Sequence, residues 1–273
     1  MNQLRRMFAR PNEAAFMPYV CCGDPNEKFT VKLVKALVEN GADAIEFGIP
    51  FSDPIADGKA IQAASQRALA SGMTPRRAIA SIAKLRKEGI DVPIVAMTYY
   101  NIVFANGERG FLAALKKAGA DGLIVPDLPL EEAAKLRAEC ERAGILLVGM
   151  VAPNCSDLRL RRIAAGARGF LYAVSVFGTT GARNKVDAEA IALVRRVKRA
   201  TSLPVCAGFG IALPSHAKEF AKAGADGIIV GSQIANLYSK AMSAGGKNNE
   251  QRTIAAISSY ARRMKRACGR ENG

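Results

Sequence analysis

The sequence has little histidine, the residue that most often carries acid–base catalysis near neutral pH. Its 273 residues include one histidine, His216, and no tryptophan. A single histidine excludes a metal site built from several histidines, and we expect His216, within a helix-like segment, to be structural. Acid–base chemistry therefore falls to carboxylates. No apolar run reaches the ~18 residues of a membrane span. The N-terminal segment has basic residues but no apolar signal core, which predicts a cytoplasmic protein.

Cysteine spacing and charge exclude further classes of protein. The six cysteines form no CxxC pair and no zinc-like spacing, so we expect reduced, mostly buried thiols and no metal. The formal net charge of +15 is compatible with an anionic partner. However, the basic residues are scattered along amphipathic helices, and the chain has no zinc finger, RNP motif or basic patch with interleaved aromatics. We therefore expect solvated helix faces and a small phosphate ester as ligand, rather than nucleic acid.

A repeated phrase organises the chain. It reads NGADAIEF at 40–47, AGADGLIV at 118–125 and AGADGIIV at 223–230. In each copy, a glycine that can end a helix in the left-handed conformation precedes an aspartate and a short apolar strand. The phrase therefore marks a helix end followed by a strand start.

Eight strand-like runs alternate with helix-periodic segments, as in a parallel sheet covered by helices. Eight such units in 273 residues favour a closed (β/α)8 TIM barrel, an α/β fold. An open doubly wound sheet is the alternative, although the first strand–helix turn lacks its GxGxxG fingerprint. The predicted strand runs are 17–23, 44–50, 92–99, 122–127, 145–153, 170–176, 203–210 and 227–232.

We expect a single domain over residues 1–273, with the barrel at about 13–240. A short helix at 2–9 could plug the bottom of the barrel. The extension 241–273 is predicted to be helical, with a terminal helix at 251–268 that packs on the barrel through apolar residues at helical spacing.

Glu46 is the unusual residue of the second predicted strand, within AIEFGIPFSDPIADG at 44–58. Alternation along the strand places Glu46 with the small residues Ala44 and Gly48, facing the barrel interior. Desolvation raises the pKa of an inward carboxyl, which suits a proton-transferring residue. Asp53 and Asp57 lie in the following loop. One of them could cap a helix or hold the loop and the other could reach the pocket, and spacing alone does not decide which.

The predicted strands seven and eight end in glycine-rich turns, GFGI at 208–211 and VGS at 230–232. Such turns let backbone N–H groups approach a ligand, and the next helix N-terminus favours an anion. Barrels commonly hold phosphate at these two loops. The segment VFGTTGARNKVD at 176–187 resembles a lid over an anion.

These motifs together closely resemble the tryptophan synthase alpha subunit family. The matching segments are PYVCCGDP, GADAIEFGIPFSDPIADG, YYNIVFANG, VPDLPLEE, GTTGAR, GFGI and VGS, in order and across roughly residues 13–240. The resemblance implies a lyase of tryptophan biosynthesis that cleaves indole-3-glycerol phosphate to indole and glyceraldehyde 3-phosphate. It also implies that this chain uses no cofactor.

The resemblance also implies roles for residues at matching positions. Glu46 would be the general acid–base, and Asp57 would accept a hydrogen bond from the indole N–H. Tyr172 would position Glu46 and the substrate, and Thr180 would align Asp57. The phosphate-binding residues would be Gly181, Gly210, Gly231 and Ser232, with Phe209 alongside.

The family's partner is a beta subunit that carries pyridoxal phosphate, in an alpha2beta2 complex. The predicted interface includes Asp53, Tyr99, Asn101 and Pro129. Two segments depart from the family pattern, Cys21–Cys22 after the first strand and Val176–Phe177 before the lid.

Three alternatives stay open on the sequence. The first is another phosphate-binding barrel, such as an indole-glycerol-phosphate synthase or an epimerase. Such a synthase is expected to use a strand lysine, and none of the eight runs contains lysine. The second is a free-standing lyase that is active without a partner. The third is a regulatory subunit, which would be expected to have lost the acid pair, although Glu46 and Asp57 are both present.

Overall fold

The computed structural model describes residues 3–10, 12–174, 186–208, 210–243 and 248–269. Within these residues, parallel strands alternate with helices as the sequence predicts. The strands are β1 (Ala15–Cys21), β2 (Ile45–Gly48), β3 (Ile94–Met97), β4 (Gly122–Ile124), β5 (Leu146–Leu147), β6 (Gly149–Val151), β7 (Leu171–Val174), β8 (Val205–Gly208) and β9 (Gly227–Val230).

Helices cover the outside of the sheet and begin where the sequence carries helix-start signals. Asn26, Thr74 and Ser156 are N-caps whose side chains accept a backbone N–H of the first turn. The helices are α1 (Gln3–Arg6), α2 (Glu27–Glu39), α3 (Lys59–Ala70), α4 (Pro75–Lys87), α5 (Tyr100–Ala105), α6 (Glu108–Ala118), α7 (Ala134–Ala143), α8 (Asp157–Gly166), α9 (Ala188–Ala200), α10 (Pro214–Lys222), α11 (Ser232–Ser243) and α12 (Asn249–Ala267).

The sheet is a nearly closed barrel with strand order β5-β4-β3-β2-β1-β9-β8-β7-β6. The predicted fifth strand run, 145–153, is divided into β5 and β6, which is a correction to the expected eight strands. β5 pairs with β4 and β6 pairs with β7, so the pairing partner changes near Val148. The two short strands therefore occupy the place of one strand in the barrel.

The repeated phrase has a structural role at the N-terminal end of the barrel. Its glycines, Gly41, Gly119 and Gly224, have φ values of 102°, 96° and 99°, the left-handed conformation that the sequence predicts at a helix end. Its aspartates each accept the backbone N–H at or next to the start of a neighbouring strand. These bonds are Phe16 N to Asp43 at 2.8 Å, Ile94 N to Asp121 at 3.0 Å and Val205 N to Asp226 at 2.8 Å.

The two terminal helical segments pack on the barrel as predicted. Leu4 of α1 is fully buried, and a Cβ atom at Gly122, the first residue of β4, would lie 3.3 Å from its Cδ2 atom. The N-terminal segment therefore covers the bottom of the barrel. α12 packs against α2, α10 and α11, and its buried residues include Ile257, Tyr260 and Met264.

The cysteines and His216 are interior residues, as the sequence predicts. All six cysteines are free and buried. Burial raises the pKa of Cys22 and Cys140 to about 12, which keeps both as neutral thiols. His216 is 2% exposed on α10. None of the helices described is long and apolar enough to cross a membrane.

Candidate active site

A cavity of about 430 Å³ opens at the C-terminal ends of the barrel strands. This is the end at which TIM barrels carry their active sites. Its walls combine strand residues from around the barrel with residues of the loops above them. The lining includes Tyr19, Glu46, Ala56, Asp57, Lys59, Met97, Ile124, Met150, Tyr172, Gly210, Ile211, Ala212, Ile229, Gly231 and Ser232.

Glu46 extends from β2 into this cavity and is 2% exposed. Burial, with a smaller contribution from the charge of Asp57, raises its pKa to about 8. Within the residues that the structure describes, no lysine or arginine forms an ion pair with Glu46. The protonated form of Glu46 therefore predominates at neutral pH.

Asp57 follows β2 and lines the same cavity. Tyr99 donates its hydroxyl proton to Asp57 Oδ2 at 3.0 Å, and Gln62 Nε2 donates to the Asp57 carbonyl oxygen at 2.8 Å. Burial raises the pKa of Asp57 to about 6, while the bond from Tyr99 acts in the opposite direction. Near pH 7 the site thus holds an ionised Asp57 beside a protonated Glu46, the separation of roles that acid–base chemistry requires.

Two tyrosines on other strands occupy the space above two strand glycines. A Cβ atom at Gly48 would lie 2.2 Å from the Tyr19 hydroxyl oxygen, and one at Gly208 would lie 2.4 Å from that of Tyr172. The small residues Ala44 and Gly48, on the same face of the strand as Glu46, would by themselves leave open space beside it. At Gly48 the room is instead taken by the Tyr19 ring, which is itself part of the cavity wall.

The part of the cavity wall formed by Gly210, Gly231 and Ser232 has the features of an anion site. Gly210 has a φ of 71°, and no atom of the described residues lies within 4 Å of a Cβ placed there, so the backbone conformation favours glycine. Gly231 and Ser232 lie at the start of α11. The first N–H groups of a helix have no partner within the helix and favour an anion. The predicted residues Thr180, Gly181 and Phe209 lie outside the described residues.

The sequence matches the family described as "Tryptophan synthase alpha chain" over residues 6–268. The chain belongs to the tryptophan synthase alpha chain family. It is 43% identical over 240 residues to the tryptophan synthase alpha chain of Methanoregula boonei, which covers 88% of this chain and 90% of the relative. It is 42% identical over 254 residues to that of Geobacillus kaustophilus, which covers 93% of this chain and 94% of the relative.

Solved structures of the family share the fold. The tryptophan synthase subunit alpha of Legionella pneumophila superposes with a TM-score of 0.88 at 32% identity, covering 98% of each chain. A chain of the tryptophan synthase complex of Pyrococcus furiosus superposes with a TM-score of 0.84 at 36% identity, covering 93% of this chain and 98% of that one. The TIM barrel predicted from the sequence is thereby confirmed.

The residues assigned to the family's partner interface have different environments. Asp53 and Pro129 are exposed on the loops after β2 and β4, and Asn101 is exposed on α5, which follows β3. Tyr99 is 3% exposed, and its ring stacks on Phe51 at a centroid distance of 5.2 Å. The structure places Tyr99 inside the protein rather than at an open surface, because its hydroxyl group holds the Asp57 carboxyl.

Several members of the site were not among the residues predicted from the sequence. Tyr19 lines the cavity, and the position of PYVCCGDP at the first strand was a signal that could have found it. Lys59, at the start of α3, brings a positive charge to the cavity wall, directly after the ADG of the family signature. Ile55, in the loop after β2, and Phe104, on α5, are large apolar residues that are 80% and 64% exposed near the residues assigned to the interface.

The segment Cys21–Cys22 departs from the family pattern but fits the top of β1. The Sγ atom of Cys21 lies 3.9 Å from the Ser65 hydroxyl oxygen, and that of Cys22 lies 3.9 Å from the Met73 sulfur. Both thiols therefore pack against the residues behind the strand. Val176–Phe177, the other departure, lies outside the described residues.

A second cavity of about 510 Å³ lies between α7 and α8, beside the β5–β6 break. It is larger than the first and mainly apolar, with Arg137 and Arg159 among its lining residues. Neither Glu46 nor Asp57 reaches it. The acid pair and the glycine turns thus make the first cavity the candidate active site.

Proposed function

We propose that this chain cleaves indole-3-glycerol phosphate to indole and glyceraldehyde 3-phosphate, a carbon–carbon lyase reaction of tryptophan biosynthesis. The observation that carries the proposal is the pairing of Glu46 and Asp57 in one cavity, with pKa values raised to about 8 and about 6, and with the glycine turns of β8 and β9 in the same cavity wall. The family to which the chain belongs bears the corresponding name.

Glu46 would act as the general acid–base. Its carboxyl gives a proton to C3 of the indole ring, and the resulting carboxylate takes the proton of the glycerol hydroxyl next to the bond that breaks. The electron pair of the C–C bond returns to the ring, which restores the aromatic indole, while the hydroxyl carbon becomes the aldehyde. Glu46 ends the cycle protonated, as it began.

Asp57 would stabilise the positive charge that forms on the ring. As a carboxylate near pH 7, it can accept a hydrogen bond from the indole N–H. The Tyr99 hydroxyl, 3.0 Å from Asp57 Oδ2, holds this carboxyl in place. A fixed acceptor aimed at a developing charge is the kind of electrostatic stabilisation that enzymes use most.

The phosphate end would lie against Gly210, Gly231 and Ser232, with Gly181 and Phe209 contributing from outside the described residues. Tyr172 would help position Glu46 and the substrate, because its ring lines the cavity. Thr180 would align Asp57 from the same segment as Gly181. Within the described residues no group of three or more histidine, cysteine or acidic residues could hold a metal ion, and the proposed chemistry uses none.

We further propose a tryptophan synthase beta chain as partner, in an alpha2beta2 complex, with pyridoxal phosphate bound by the beta chain. Among the similar structures are two of Pyrococcus furiosus described as the tryptophan synthase complex and as the a2b2 complex. Ile55 and Phe104 supply exposed apolar area beside Asp53 and Asn101, as an interface core would require. The cytoplasmic location stays a prediction from the sequence.

The test is indole release from indole-3-glycerol phosphate by the purified chain, with and without a tryptophan synthase beta chain. Slow release that rises sharply with the beta chain would support the proposed subunit. Fast release from the chain alone would indicate a free-standing lyase instead. No release under either condition would contradict the proposed reaction.

Glu46→Gln serves as the control for the chemistry, since it keeps the shape of the side chain and removes its proton exchange. We expect the rate with the beta chain to fall about 10²- to 10⁴-fold. Wild-type activity in this variant would overturn the role of Glu46. Asp57→Asn should lose somewhat less, because the neutral amide can still face the ring nitrogen.

A further inference from the structure

Ala212, in the loop after β8, is held by two side chains from outside the cavity. Its backbone N–H donates to Nδ1 of His216 at 3.4 Å, and its carbonyl oxygen accepts the Tyr260 hydroxyl proton at 2.9 Å. His216 lies on α10 and Tyr260 on α12, so one peptide unit on each side of Ala212 is tied to a different helix.

The loop that these bonds hold is a wall of the active site. Gly210, Ile211 and Ala212 line the cavity together with Gly231 and Ser232. His216 and Tyr260 are 2% and 4% exposed and do not line it. They can therefore influence a ligand only through the backbone of this loop.

The ring of His216 is oriented by its bond to Ala212. Because Nδ1 accepts the N–H of Ala212, the neutral ring carries its proton on Nε2. Nε2 is buried and has no hydrogen-bond partner among the described residues. A buried ring nitrogen without a partner costs free energy, and no bond at Nε2 fixes the ring.

We propose that His216 and Tyr260 are positioning residues that hold the loop 210–213 in the conformation that binds the phosphate of the substrate. The inference rests on the proposed function, whose phosphate site it deepens. It also assigns a role to the chain's only histidine and to the terminal helix. Neither residue touches the substrate, so both act through Ala212.

The proposal predicts an effect on binding rather than on chemistry. A loop released from its two bonds has more conformations to lose when the phosphate binds. The phosphate is remote from the C–C bond that breaks, so its contacts contribute about equally in the ground and transition states. Loss of such uniform binding raises KM and leaves kcat unchanged.

Each bond is tested by a substitution that removes it with little change in side-chain volume. Tyr260→Phe removes only the hydroxyl group. His216→Leu removes the acceptor, whereas His216→Asn retains an oxygen near the place of Nδ1. We expect Tyr260→Phe and His216→Leu each to raise KM for indole-3-glycerol phosphate about two- to tenfold, the worth of one neutral hydrogen bond. kcat should stay within about twofold, and His216→Asn should recover most of the lost affinity.

The second readout is independent of the reaction. Calorimetric titration with glycerol 3-phosphate should show the same rise in Kd for Tyr260→Phe and His216→Leu. Ile257→Val is the matched control, because Ile257 is fully buried on α12 and its side chain has no polar group that could bond to the loop. It should lower the melting temperature and leave both KM and Kd as in the wild type.

The outcomes separate this inference from the proposed function. In one outcome, the wild type binds glycerol 3-phosphate and both variants bind it more weakly, but the wild type releases no indole. This outcome would support the positioning role and contradict the proposed reaction. Three results would overturn the positioning role. These are unchanged Kd and KM in the variants, an equal rise in KM in Ile257→Val, and no binding of glycerol 3-phosphate by the wild type.

Discussion

Glu46 and Asp57 line the same cavity, and burial makes both carboxyl groups harder to ionise. The charge of Asp57 adds to the effect of burial on Glu46. The Tyr99 hydroxyl bond works against burial at Asp57. The Tyr99 hydroxyl group therefore helps to keep the pKa of Asp57 below that of Glu46. Near pH 7, Glu46 is then an acid and Asp57 an anion.

The pH dependence of the reaction should follow this pair. With Asp57 required as carboxylate and Glu46 as acid, kcat/KM should rise through about pH 6 and fall through about pH 8. Tyr99→Phe removes the bond that lowers the pKa of Asp57, so the acidic limb should move to higher pH. A pH–rate profile whose acidic limb is the same in Tyr99→Phe as in the wild type would contradict the role of Tyr99.

Glu46 should also destabilise the folded protein at alkaline pH. Its pKa in the folded state is about 8, against 4.5 for the exposed group, so the folded state binds more protons than the unfolded state between these values. Stability is therefore lost as pH rises through this window. At pH 9 we expect Glu46→Gln to have a higher melting temperature than the wild type. Its free energy of unfolding should be larger by on the order of a few kcal/mol.

At pH 4.5 the advantage of Glu46→Gln should be small, since Glu46 is then protonated in the folded state. Thermal unfolding of both proteins at the two pH values measures the difference. An equal difference at both values would show that burial of the charge is not its cause.

At the scale of elements, neighbouring strands shape the site where a tyrosine ring of one strand packs over a glycine of the next. The Tyr19 ring leans from β1 over Gly48 of β2, and the Tyr172 ring leans from β7 over Gly208 of β8. Both tyrosines are part of the cavity wall. The two strand glycines are therefore required by the neighbouring ring and not by their own backbone conformation.

Gly48→Ala should displace the Tyr19 ring, because the new Cβ would lie 2.2 Å from the hydroxyl oxygen. We expect a loss of stability of about 1–3 kcal/mol, typical of overpacking, together with reduced kcat/KM. Urea unfolding and indole release measure the two effects. Gly110→Ala is the control, since Gly110 lies in α6 with nothing within 4 Å of a Cβ, and should stabilise by about 0.5–1 kcal/mol. Equal effects of the two substitutions would refute the steric account.

At the scale of the whole molecule, the ends of the barrel have different roles. The N-terminal end carries the repeated aspartates, which bind strand N–H groups and pair with cations. Examples are Arg86 with Asp121 at 2.8 Å and Lys198 with Asp226 at 2.7 Å. The C-terminal end carries the cavity and the exposed apolar residues. Some of the lysines and arginines thus form ion pairs that support the N-terminal end of the barrel.

Two exposed apolar residues at the C-terminal end, Ile55 and Phe104, should contribute to the proposed partner interface. Phe104→Ser is expected to weaken beta-chain binding about tenfold or more, as loss of an aromatic anchor does, and to leave the slow activity of the chain alone unchanged. Titration of the rate against beta-chain concentration measures it. Leu158→Ser is matched in exposure, 64% for both residues, but lies on α8. Equal effects of the two substitutions would place the interface elsewhere.

The sequence by itself determined the parallel barrel, the inward Glu46 and the glycine turns at β8 and β9. These depend on periodicity of two or 3.6 residues and on glycine chemistry, which act over a few neighbouring residues. The split of the fifth strand run could not be read in this way, since it depends on which neighbour each half pairs with.

Local spacing left open which loop acid reaches the cavity; the family resemblance indicated Asp57, and only the tertiary structure shows what holds it. Asp53 and Asp57 are alike in their local sequence, but Tyr99, which lies 42 positions from Asp57, donates to Asp57. The same holds for Ala212, whose carbonyl oxygen is bound by Tyr260, 48 positions away. Contacts between residues distant in sequence depend on how the helices pack around the barrel, and no local pattern records that packing.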